Sequence, residues 1–276
     1  MTLTFVGMGP WFGALTLEAL DAISNADTVY IELYTNITPG LSYERLKRIT
    51  KGNIKFVTRK ELEEEEGRHI IEEAKHKNVV LLIGGDPFIA TTHVTLRIEA
   101  LKNGIDVRVV HGVSGVYCCI SISGLQVYKF GKMVTLVYPE KYYVPYTTYY
   151  VIKENYERGL HTLVLLDIKF DEGHAMRVNE AVSILMDIEK KVCKEEKSRP
   201  FLEKVIGLAI ARAGTPEVYL KADLLPNLAN YNYPPPPHSL IIVSKPHPLE
   251  LEALMYFAGL PKHIVEERKR TRESIN

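Results

Sequence analysis

Hydrophobic and polar positions fall in alternating blocks along the first 112 residues. Five short runs, Leu3–Val6 (LTFV), Thr28–Glu32 (TVYIE), Ile54–Val57 (IKFV), Val79–Ile83 (VVLLI) and Val107–Val110 (VRVV), are apolar and β-branched. Runs that stay apolar instead of alternating predict strands buried on both faces, hence a mostly parallel sheet. Amphipathic segments separate them, and the pattern predicts helices over Leu15–Ala26, Tyr43–Thr50, Glu61–Ala74 and Thr91–Lys102. Strand and helix in alternation predict an α/β sandwich.

Beyond GVSGVYCCISISGLQ the texture changes. Seven tyrosines crowd between Tyr138 and Tyr156, and then come a predicted strand, His161–Ile168, and a predicted helix, Asn179–Lys191. Strands are predicted at Lys204–Gly214, Glu217–Ala222 and Ser239–Ser244, the first two close enough for a hairpin. The expectation is two α/β domains, 1–112 with a mostly parallel sheet and 113–276 with a mixed sheet. The acidic ELEEEE run suits a solvated helix start. PPPP before His238 sets an extended approach to the last strand, and EERKRTRESIN is expected to be an exposed end.

Composition narrows the function. Lys plus Arg and Asp plus Glu each number 34, so the net charge is zero and no broad basic field exists to gather phosphate backbones. Nucleic acid is therefore not expected as a partner. Three cysteines, two adjacent at Cys118 and Cys119, fit neither a disulfide framework nor a metal spacing and suggest a reducing, cytoplasmic setting. MTLTFVGMGP enters a strand with no leader pattern, and no run approaches the ~20 apolar residues of a membrane span. A soluble protein, with no membrane partner and no metal, is expected.

Two glycine-rich loops carry candidate chemistry. VGMGPWFG follows the first strand, and Glu32 ends the second, as in a dinucleotide site. The third glycine, Gly13, is one place late, however, with Phe12 standing where the pattern needs a glycine, and Pro10 removes a backbone donor. A less anionic ligand fits this loop better than a pyrophosphate. GGDPFIATTH follows the fourth strand directly. Asp86 there is either a helix cap or a carboxylate that meets a cationic group such as an ammonium or sulfonium. Ser114 in HGVSG is either a helix cap or a ligand-facing hydroxyl.

These residues resemble the diphthine synthases of the tetrapyrrole methylase superfamily. The resemblance is carried by ADTVYIELYT (26–35), GGDPFIATTHVTLRIEA (84–100), YKFGK (128–132), IKENYERGLHTLVLLDIK (152–169), ARAG (211–214) and PPHSLII (236–242). It implies two α/β domains with S-adenosyl-L-methionine held between them, S-adenosyl-L-homocysteine as product, and a homodimer. It also implies the acceptor: the aminocarboxypropyl-modified histidine of translation elongation factor 2, whose amine is methylated repeatedly. Carried over by position, the cofactor contacts fall on Pro10, Asp86, Ile89, Ser114 with Gly115 or Val116, Leu166, Ala213 and His238. PWFGALT departs from the family's first loop, so Pro10 is assigned by backbone position alone.

No general base is named by the resemblance; His93, His161 and His238 are the candidates by residue type, with at least one expected to be structural. The rivals are a precorrin or ribosomal RNA methyltransferase of the same superfamily, and a dimeric S-adenosyl-ligand-binding module without catalysis.

Overall fold

Strand β1 (Thr2–Gly7) lies at the centre of the first sheet, flanked by β4 (Val79–Ile83) and β5 (Asp106–Val110), with β2 (Thr28–Glu32) and β3 (Asn53–Val57) beyond β4. All pairings in this five-stranded sheet are parallel. The computed structural model describes residues 1–34, 37–169 and 173–273, with side chains to residue 270. Thr35 of ADTVYIELYT and the last three residues of the tail thus lie outside the described residues.

The period-2 pleat sorts the apolar runs onto two faces. Leu3, Phe5, Val79, Leu81 and Ile83 pack with Ile70, Ile71 and Ala74 of α3 (Arg68–Ala74) and Leu96 and Ala100 of α4 (Val94–Lys102). Val6, Val29, Ile31, Val80 and Leu82 pack with Ala19 and Ile23 of α1 (Leu17–Ser24) and Leu46 of α2 (Tyr43–Lys47). Helices on both faces are what continuous apolar strands require, and this is the expected sandwich.

Chain contacts divide the protein into two units, Met1–Cys118 with Ile168–Gly173, and Cys119–Asp167 with His174–Asn276. Helix α5 (Gly115–Ile122) runs across the first division. The second unit holds a sheet ordered β11-β10-β12-β7-β6, from β6 (Val134–Leu136), β7 (Thr162–Leu166), β10 (Ile206–Ala211), β11 (Tyr219–Leu224) and β12 (His238–Val243). Its β6–β7 pair is parallel and the other three pairs are antiparallel, the expected mixed sheet. Strands β8 (Ile168–Lys169) and β9 (His174–Ala175) are two residues each. Helices α6 (Tyr146–Glu157) and α7 (Val178–Glu196) supply Tyr149, Ile152, Val182, Leu185 and Ile188 to one core beneath β7, β10 and β12.

Two helices differ from expectation for identifiable local reasons. The helix predicted over Glu61–Ala74 is broken into a π-turn, Lys60–Glu64, and α3, because Gly67 between them has a left-handed backbone, φ 60°. The helix predicted from Thr91 begins at Val94. Ala90 has φ 59° and the Thr91 hydroxyl donates to the Pro87 carbonyl, which closes a local turn instead. In the tail, α8 (Pro248–Ala258) is followed by α9 (Lys262–Glu273), which is anchored by buried Ile264 and Val265, while Glu266, Glu267, Lys269 and Arg270 beyond them are exposed, as expected. None of the described helices is long and apolar enough to cross a membrane.

Candidate active site

The carboxyl ends of β1, β4 and β5 are stitched together by backbone alone. Gly9 and Gly85 exchange both amide-to-carbonyl bonds, at 3.0 and 2.9 Å, and the Met8 amide donates to the Ile83 carbonyl at 2.8 Å. A Cβ on Gly7 would stand 2.5 Å from the Gly85 carbonyl oxygen and the Gly112 nitrogen; one on Gly112 would stand 2.2 Å from the same oxygen. No side chain fits there. The glycines of VGMGP and GGDP are therefore spent on packing three strand ends against each other, and the Gly9 amide is not free for a phosphate.

This stitching sets Asp86 beside His111. The connection after β1 runs one way along the sheet and that after β4 the other, with α1 and α4 on opposite faces, so the two loops part at this point. Ligands of open α/β sheets collect at such points, beyond the carboxyl ends of the strands. Asp86 Oδ1 accepts from the Phe88 amide at 3.0 Å, and Oδ2 lies 2.8 Å from His111 Nδ1. The helix-cap reading of Asp86 is thereby corrected: its carboxylate closes a two-residue turn, while α4 starts eight residues later behind His93, which makes no side-chain cap.

The remaining expected contacts of the first unit lie on the same edge. Pro10 follows β1 and is buried. Ile89, three residues beyond Asp86, leaves 37% of its surface exposed, an apolar side chain without a core to join. Ser114 precedes α5 and is buried, as is Val116, whereas Gly115 faces open space: a Cβ added there would meet nothing within 4 Å.

In the second unit, Leu166 ends β7, Ala213 follows β10, and His238 begins β12. Since β12 runs antiparallel to both neighbours, with Ala211 opposite His238 and Leu165 opposite Ser239, all three residues share one end of that sheet. His238 has no ring nitrogen to spare. Its Nδ1 accepts from the Val178 amide at 3.3 Å and its Nε2 donates to the Pro234 carbonyl at 2.8 Å. Burial, partly offset by that carbonyl, pulls its pKa down, so it is held neutral.

His161 is likewise committed to the fold. Its Nδ1 accepts from the Ser244 amide at 3.1 Å, and Nε2 donates to Glu250 Oε1 at 3.0 Å. His93 is buried with neither nitrogen bonded among the described residues, its Nε2 3.9 Å from Glu32, and burial pulls its pKa down to about 4. The histidine that sequence reasoning passed over is His111. The signal was its place at the end of a parallel strand, in the same HGVSG segment that yielded Ser114. Among the described residues the three cysteines form no disulfide and no cluster is able to hold a metal ion.

Residues 2–195 match the family of tetrapyrrole (corrin/porphyrin) methylases. The diphthine synthase of Staphylothermus marinus is 48% identical over 264 residues, covering 95% of this chain and 96% of the relative. That of Methanocaldococcus jannaschii is 41% identical over 88% of this chain and 93% of its own length. A crystal structure of a diphthine synthase superposes with a TM-score of 0.83 at 33% identity, covering 96% of this chain and 99% of the other. This chain belongs to the tetrapyrrole methylase family and, within it, to the diphthine synthases.

Proposed function

We propose that this protein is an S-adenosyl-L-methionine-dependent N-methyltransferase that successively methylates the amine of the aminocarboxypropyl-modified histidine of translation elongation factor 2. It acts in the cytoplasm, as a homodimer, and yields S-adenosyl-L-homocysteine. The family gives the reaction, and the observation that supports its placement here is Asp86. A carboxylate with 8% of its side chain exposed, fixed by one amide and one imidazole, presents negative charge at the ligand edge of a parallel sheet.

The first unit's residues suit this cofactor. Its ammonium and sulfonium call for an opposing carboxylate, which Asp86 supplies in surroundings of low dielectric. Ile89 offers apolar surface, and the open space at Gly115 leaves room beside the first amides of α5, where a carboxylate would be favoured. Pro10, Ser114 and Val116 complete the proposed set on this unit; Leu166, Ala213 and His238 are the proposed contacts of the second.

When bound, S-adenosyl-L-methionine supplies an electrophilic methyl group on a positively charged sulfur. Charge passes from sulfur to nitrogen in this displacement, so alignment and exclusion of water matter more than a strong acid. The protein's part is to hold the amine in line and to keep it unprotonated. Recognition of a folded factor accords with a chain of zero net charge that has no basic field for RNA.

The test is incubation with labelled S-adenosyl-L-methionine and, separately, the modified factor, the unmodified factor, ribosomal RNA and a precorrin. Label and a mass increase in whole methyl increments are expected on the modified factor alone. Transfer to RNA or a precorrin with none to the factor would overturn the assignment, and binding of S-adenosyl-L-homocysteine with no transfer to any of them would leave a binding module.

A further inference from the structure

The pair His111–Asp86 has the form of a base held by its orienting carboxylate. Asp86 is an acceptor only, so the 2.8 Å contact with His111 Nδ1 fixes the proton on Nδ1. The ring's Nε2 then carries a bare lone pair. Among the described residues it has no hydrogen-bond partner, and 78% of the His111 side chain is exposed against 8% for Asp86. One partner is rooted in the fold and the other is presented to whatever occupies the ligand edge. Neither His161 nor His238 can do this, their nitrogens being committed, and His93 is shut away from solvent.

We propose that His111 is the proton acceptor for the methyl-accepting amine, with Asp86 as its positioning residue. The inference rests on the methyltransferase reading above. An amine that arrives as an ammonium, or that has just gained a methyl group, carries a proton and has no lone pair to donate. In the proposed step the ammonium N–H bond breaks and an Nε2–H bond forms. The electron pair stays on the substrate nitrogen, and the imidazolium charge is compensated by Asp86. His111 then releases the proton to solvent through its exposed edge, ready for the next cycle. Two such deprotonations follow the first in a triple methylation, since the final trimethylammonium has no proton to lose.

The experiment uses the full-length protein and two substitutions. His111→Asn retains an amide donor near the Nδ1 position and so keeps Asp86 oriented, but has no base; His111→Ala removes both. Single-turnover methyl transfer is expected to fall about 100-fold or more in each, the scale of general-base catalysis. Calorimetric affinity of His111→Asn for S-adenosyl-L-homocysteine is expected to stay within about twofold of wild type, and imidazole in the buffer to restore part of the rate of His111→Ala only. An unchanged rate in both variants overturns the proposal. So does a parallel loss of rate and affinity in His111→Asn without rescue, which would make His111 only a prop for Asp86. Nitrogen-15 spectra of the wild-type ring, read with no acceptor present, are expected to show the proton on Nδ1; a proton on Nε2 overturns the proposal even if the acceptor assignment itself fails.

Discussion

His161 and Glu250, 89 residues apart, meet at 3.0 Å with neither side chain open to solvent. Glu250 also accepts from the Gln126 and His247 amides, at 2.9 and 2.7 Å, and from Lys129. Burial alone would raise its carboxyl pKa; these four donors outweigh burial and hold it well below the usual carboxylate range. Removing one member of a buried ion pair strands the others, at about 3–5 kcal/mol. Glu250→Ala is therefore expected to lose that much stability in urea denaturation at pH 7 and, if it folds, to bind S-adenosyl-L-homocysteine normally. A depressed carboxyl contributes stability that is complete above the ordinary carboxylate range and is lost as pH falls toward its folded value. The difference between wild type and variant should accordingly shrink below about pH 4.

Two glycines predict opposite outcomes for one substitution. Gly7→Ala drives a Cβ to 2.5 Å from two backbone atoms that cannot move independently, and overpacking of this kind costs about 1–3 kcal/mol. Gly115→Ala meets nothing and is expected to leave the melting temperature of the ligand-free protein unchanged. If the open space at Gly115 receives the cofactor, the second variant should nevertheless show weakened calorimetric binding. Equal melting temperatures for the two variants would contradict the packing argument.

The same residues explain what could be read from sequence. Apolar runs such as VVLLI carry burial on both faces in their composition, so β4 and β2 fall where expected to the residue. The starts of α3 and α4 are not legible because they turn on the left-handed backbone of Gly67 and Ala90 and on a threonine-to-carbonyl bond, none of which disturbs apolar periodicity. The YKFGK and ENYERGLHTL segments carried the family resemblance, yet their contacts are structural. Asn155 Nδ2 bonds the Lys132 carbonyl and Thr162, and His161 and Lys129 converge on Glu250. Asp86 was legible as a carboxylate at the carboxyl end of β4; its contact with His111 was not, because that contact is made by packing of Gly7, Gly85 and Gly112, which no spacing rule encodes.

His93 gives stability a pH dependence of its own. Its folded pKa is about 4, lowered by burial, against about 6.5 unfolded. Between those values the unfolded chain takes up a proton that the folded chain refuses, so stability falls as pH drops from about 6.5 toward 4, by about 3 kcal/mol in all. His93→Leu removes the titration and leaves no unbonded nitrogen at that position. Urea denaturation at pH 7 and pH 4.5 is expected to show a smaller acid loss in the variant than in wild type. An equal loss in both would locate the acid sensitivity elsewhere.

If Asp86 serves the ligand more than the fold, as proposed, Asp86→Ala will separate loss of affinity from loss of stability. The substitution frees the Phe88 amide and the exposed His111 ring, both within reach of water, so stability should fall by about 1 kcal/mol, a melting shift of roughly 2–4 °C for a chain of this size. A charged contact to a bound cation contributes more, about 1.5–3 kcal/mol, or about 10- to 100-fold in affinity. Titration calorimetry with S-adenosyl-L-homocysteine beside thermal melts of the ligand-free protein is predicted to show that loss of affinity with only the small melting shift. Unchanged affinity with a lowered melting temperature would contradict the account and make Asp86 a turn-closing residue and nothing more.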